Sequence, residues 1–97
     1  MNAADIETLD LLLISYLAQH DSQFGVPANL LLAHVRSTLS SKLTLDEVVG
    51  RLDYQGDATN ALGKALVRKV AKLNPQLTRW KLTAAGVEYA QERGLDQ

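Results

Sequence analysis

The run Leu43-Thr-Leu-Asp-Glu-Val48 constrains the fold more than any other stretch of this chain. Thr44 and Glu47 stand three apart, so each side chain can accept a hydrogen bond from the other's otherwise unpaired backbone amide, and Leu43 with Val48 occupies the positions of a hydrophobic staple. A helix therefore begins at Thr44. Leu45, Val48, Val49 and Leu52 continue at i, i+3, i+4, i+7 spacing, which makes one apolar stripe and predicts a helix over 44–54. Tyr54-Gln-Gly-Asp57 closes it with a glycine-containing turn.

The same periodicity predicts helices elsewhere. Ile6, Leu9, Leu13, Tyr16 and Leu17 mark a helix over 5–20 with Asp5 as its N-cap. Leu11, Leu12 and Ile14 add apolar surface on its other sides, so this helix is expected at the centre of the fold or partly buried against another chain. After a loop over 21–27, Pro27 suits the first turn of a second helix that runs to about Leu39 through Leu31 and Val35. Leu77-Thr-Arg-Trp-Lys-Leu-Thr83 alternates and predicts a strand over 77–83. Val87, Tyr89 and Ala90 return to helical spacing over 84–93, with Thr83 as N-cap and Gly94 just past the end.

Residues 60–75, Asn-Ala-Leu-Gly-Lys-Ala-Leu-Val-Arg-Lys-Val-Ala-Lys-Leu-Asn-Pro, gather positive charge. A half-buried strand needs strict alternation, whereas Leu66 to Leu73 runs in pairs, apolar then charged then apolar. This pattern predicts a helix over 58–73, with Leu62, Leu66, Val70 and Leu73 toward the core and Lys64, Arg68 and Lys72 in a basic stripe opposite. Asp57, Thr59 or Asn60 would cap it and Asn74-Pro75 would stop it. Gly63 counts against it by roughly 1 kcal/mol relative to alanine.

With 97 residues the chain has length for one domain, 1–97, and not for two independent cores. Its 46% apolar and 22% charged residues are the balance of a folded globular chain and exclude disorder as the default. The absence of cysteine rules out disulfides, thiolate nucleophiles and Cys-ligated zinc. The longest apolar run, Leu11 to Ile14, is far short of the roughly 20 residues that span a bilayer, and the acidic start is unlike a signal peptide. A soluble cytoplasmic protein with no membrane association is expected.

The net charge of −1 hides a division. Residues 1–50 carry six acids against Arg36 and Lys42, a net of −4, while residues 51–81 carry seven cations against Asp53 and Asp57, a net of +5. Such a distribution argues against a general polyanion binder and permits one local anion-binding face.

Taken together, helix 44–54, a short turn, helix 58–73 and a basic strand leading into Arg79-Trp-Lys-Leu-Thr-Ala-Ala-Gly86 resemble a winged helix-turn-helix domain over about residues 5–93. The junction after the strand is similar to that of many bacterial winged-helix regulators. The resemblance implies a mainly α fold of about five helices with a small β-hairpin wing, and a small transcriptional regulator that binds duplex DNA. It also implies self-association as a dimer through the N-terminal or C-terminal helix. Carried over by position, helix 58–73 is the recognition helix, with Asn60 and Lys64 nearest the base edges, Thr59 also among the nucleic-acid-binding residues, and Arg68, Lys69 and Lys72 on phosphates; Arg79 and Lys81 belong to the wing. The alternative alignment makes residues 66–73 the first wing strand and helix 44–54 the reader, whose exposed face then shows Asp46, Glu47 and Asp53 beside only Arg51, a poor match for phosphate.

Trp80 is expected to anchor the strand to the core, because a single tryptophan between Leu77 and Leu82 packs more often than it stacks on a base. His20 and His34 have no partner at metal-ligand spacing and are read as structural. No nucleophile triad, phosphate loop or carboxylate pair stands out, so neither an enzyme nor a cofactor is expected, and no small-molecule ligand is identifiable. The second functional expectation is a winged-helix module that binds protein and not DNA, through the acidic first half and the apolar Leu11 to Ile14 surface.

Overall fold

The computed structural model describes residues 2–97. Its elements run α1 (Ala3–Gln19), β1 (Val26–Pro27), α2 (Ala28–Thr38), α3 (Leu45–Gln55), β2 (Val67–Ala71), β3 (Arg79–Leu82) and α4 (Ala84–Glu92). Among the described residues four helices, holding about half of them, pack with one small antiparallel sheet of order β1-β3-β2. This is one helix fewer than expected from the sequence. No helix among the described residues is long and apolar enough to cross a membrane.

α1 takes the central place expected of it. Leu9, Leu13, Ile14 and Leu17 are buried, and the helix packs against α2, α3, α4 and β3. Its cap is Asn2, whose side chain accepts from the Asp5 amide at 2.8 Å; Asp5 lies within the first turn, where a carboxylate complements the exposed amides. α3 starts as its sequence demands. The Glu47 amide donates to the Thr44 hydroxyl at 3.2 Å, the Thr44 amide donates to the Glu47 carboxylate at 3.0 Å, and Leu43 and Val48 are both buried.

The predicted helix over 58–73 does not form. Residues 57–64 make a series of turns, and β2 follows, antiparallel to β3 with Val67 opposite Leu82, Arg68 opposite Lys81 and Lys69 opposite Trp80. Two local features explain this. Gly63 sits at φ +67°, a left-handed conformation that ends any helix passing through it. The register then shifts between Lys69 and Ala71, so Val70 is the extra residue of a β-bulge; a bulge breaks strict alternation, which is why the paired pattern read as helical. Leu62 and Leu73, expected on a core face, are 48% and 57% exposed.

The hairpin between β2 and β3 closes through residues 72–78, and β3 begins at Arg79, two residues later than the predicted strand. The buried Thr78 hydroxyl accepts from the Leu73 amide at 3.1 Å and lies within donating distance of the Leu73 and Asn74 carbonyls, at 3.0 and 3.1 Å. The turn also finishes α2. Pro27 caps that helix without a side-chain bond, and the amides of Ala28 and Asn29 donate to the Thr78 and Gln76 carbonyls at 3.0 and 2.9 Å. At the other end of β3 the Thr83 hydroxyl donates to the Ala65 carbonyl at 2.6 Å and accepts from the Gly86 amide at 3.0 Å. A methyl group at Gly86 would overlap the Leu66 carbonyl oxygen, so this turn into α4 admits only glycine.

Candidate interaction surface

The eight residues predicted to meet nucleic acid fall into three groups. Thr59 and Asn60 organise the loop after α3. The Asp57 carboxylate accepts from the Thr59 amide and hydroxyl at 2.9 and 2.8 Å, and those two bonds hold its pKa below the ordinary value. Asn60 is buried; its side-chain nitrogen donates to the Lys64 carbonyl at 2.7 Å and its oxygen accepts from the Leu62 amide at 2.9 Å. These bonds use the groups that would have read a base edge.

Three cations are tied to other parts of the chain. The Arg79 guanidinium donates to the Gly25 carbonyl at 3.3 Å. Lys81 pairs with Asp21. Lys69 lies 3.7 Å from Asp53 and 5.3 Å above the centre of the Trp80 ring. Trp80 itself is buried, the anchor that its apolar neighbours predicted.

Lys64, Arg68 and Lys72 remain exposed and form no ion pair among the described residues. They do not form one helical stripe. Lys64 lies in the loop before β2, Arg68 is on the strand opposite Lys81, and Lys72 follows the strand in the hairpin turn.

α3 differs in sign. Its exposed residues include Asp46, Asp53 and Tyr54. Its one cation, Arg51, is held by two bonds to the Asp10 carboxylate at 2.9 and 2.7 Å, which raise its pKa further above the ordinary value. No free cation remains on this helix to meet a phosphate.

Sequence reasoning missed the apolar surface beside the hairpin. Leu30, Leu73 and Leu77 are 50%, 57% and 44% exposed, and they sit on segments joined by the bonds from Ala28 and Asn29 to the turn. Exposed leucines on linked segments are candidates for apolar contact. A signal was present in the leucines flanking Asn74-Pro75, but the helical assignment had placed Leu73 inside. The surface expected at Leu11 to Ile14 is only partly accessible: Leu13 and Ile14 are fully buried, and Leu11 and Leu12 are half-buried.

The two histidines meet at Tyr16, whose ring centre is 4.2 Å from that of His20 and 4.6 Å from that of His34. Burial, then the nearby His20, lowers the pKa of His34. No cluster of three or more metal-ligating side chains occurs among the described residues. No protein-family model matches the chain, and comparison with curated proteins and with solved structures gives no match.

Proposed function

We propose that this chain is a winged-helix-type module that binds a protein partner, using the hairpin turn and the start of α2 as its contact. The element order α1-β1-α2-α3-β2-β3-α4 with sheet order β1-β3-β2 supports the winged-helix reading, with residues 72–78 as a short wing. In that arrangement α3 takes the place of the reader helix. The observation that carries the choice of partner is the acidic exposed face of α3, whose one arginine is already bonded to Asp10. A helix of that sign repels the phosphates flanking a groove, whereas the exposed leucines of the hairpin turn and the start of α2 suit an apolar protein surface.

A photo-reactive side chain at position 77 tests the reading in the cell of origin. A discrete adduct with one protein is expected from position 77 and none from position 59; equal labelling at both positions, or none, would overturn it.

A second reading is that of a duplex-DNA-binding regulator that docks through the hairpin. It is favoured by one observation, that Lys64, Arg68 and Lys72 are exposed and have no carboxylate partner among the described residues. Fluorescence anisotropy with duplex DNA at two salt concentrations separates the readings. The protein-binding module gives weak binding at both; the regulator gives affinity that falls steeply with salt and flattens when those three residues become alanine.

A further inference from the structure

A cleft of about 450 Å³ opens between α1, α3, the loop after α3 and α4, a volume within the range of small-molecule sites. Its apolar part includes Ile6 and Leu11 of α1. Tyr54 of α3 and Tyr89 of α4 also line it, and each carries a guanidinium over its ring, Arg51 at 4.5 Å and Arg93 at 4.4 Å.

The loop wall is built and not loose. The Tyr54 hydroxyl accepts from the Ala61 amide at 2.9 Å, and the buried Asn60 side chain bonds across the loop to the Lys64 carbonyl and the Leu62 amide. Leu62 is thereby held at the cleft while remaining 48% exposed. A preformed wall costs a ligand little ordering on entry.

The two arginines are not equivalent. Arg51 is neutralised by its paired bonds to Asp10, whereas Arg93 forms no ion pair among the described residues. Arg93 is therefore the cation available to a ligand, and its planar fork matches a carboxylate by two parallel bonds. Flat aromatic rings complement the aliphatic floor and the edges of the tyrosine rings, a face of each being covered by its guanidinium. Glu7, also at the cleft and also without an ion-pair partner among the described residues, disfavours anions of higher charge.

The geometry points to a binding site for a small planar aromatic monocarboxylate, its rings against Ile6, Leu11 and the tyrosines and its carboxylate on Arg93. The site is independent of which macromolecule the hairpin meets.

The test is a titration of the isotope-labelled full chain with 2-naphthoate and, separately, with the neutral 2-naphthamide, followed by amide chemical shifts. Saturable one-to-one binding of naphthoate is expected, with shifts gathered around Ala61, Leu62 and Tyr89 and with the amide about tenfold weaker. Arg93→Gln, a change at an exposed position, should weaken naphthoate about tenfold, and Glu7→Gln should tighten it two- to threefold. The proposal is overturned by absence of saturation up to about 5 mM, by equal affinity for the neutral amide, by full affinity in Arg93→Gln, or by shifts centred on residues 72–78.

Discussion

The two ends of β3 are both tight turns, yet they have opposite characters. At its C-terminal end Thr83 and Gly86 close onto Ala65 and Leu66 with no room for a methyl group. At its N-terminal end Thr78 knits the turn from within, while Leu73 and Leu77 stand outward. One end spends its side chains on the fold; the other fixes its backbone and leaves two leucine side chains in solvent. Rigid backbone beneath exposed apolar groups is what a binding surface requires, because little ordering remains to be done on contact.

The largest effect should come from breaking the closed end. Gly86→Ala forces the Leu66 carbonyl out of place, and a loss of about 3 kcal/mol, on the order of 15 °C in a thermal melt for a chain of this size, is the expected outcome. A melt within about 2 °C of wild type would show that the junction has slack.

Next is the hydroxyl that knits the open end. Thr78→Val keeps the volume but leaves the Leu73 amide without its acceptor and the Leu73 carbonyl without that donor, while the Asn74 carbonyl keeps the Leu77 and Thr78 amides, so about 1–2 kcal/mol should be lost in urea unfolding. Because Ala28 and Asn29 bond to the same turn, amide exchange at the start of α2 should accelerate as well.

Leu73→Ser with Leu77→Ser sharpens the contrast from the other side. Both residues are largely exposed, so stability should change by no more than about 0.5 kcal/mol, while partner capture by a photo-reactive side chain introduced at position 30 of the same variant should disappear. Unchanged partner capture would separate these leucines from binding.

The smallest effect is one of pH, and it lies on α2, which the open turn caps. His34 has a pKa below its usual value near 6.5 because burial and His20 disfavour its charged form. The folded state thus prefers neutral His34. Its contribution is present above about pH 6.5 and is lost as the pH falls below that value through the lowered folded pKa. Between pH 7.5 and 5.0 the wild type should lose slightly more melting temperature than His34→Gln, by under about 3 °C.

These contrasts also explain what was legible in the sequence. α3 and α4 begin with local devices, Thr44 with Glu47 and Thr83 with Gly86, whose partners lie three residues away; such signals survive in one dimension. β2 is held by residues across the hairpin and by the bulge at Val70, and neither leaves a local mark that outweighs the apolar pairs. The candidate surface suffered the same way. Asn60 and Thr59 look like cap or contact residues until their loop partners are known, and Leu73 looks internal as long as its segment is drawn as a helix. The pattern marks Lys64, Arg68 and Lys72 as exposed cations, which they are, but their common stripe belongs to a helix that the chain does not make.

The bulge has a further consequence, for solubility. β2 is an edge of the sheet, and an edge offers unpaired amides and carbonyls to the strand of any neighbouring molecule. Here that edge carries Arg68 and Lys69 and loses its register at Val70. Charge and kink together deny a second strand the straight, neutral template on which fibrils grow.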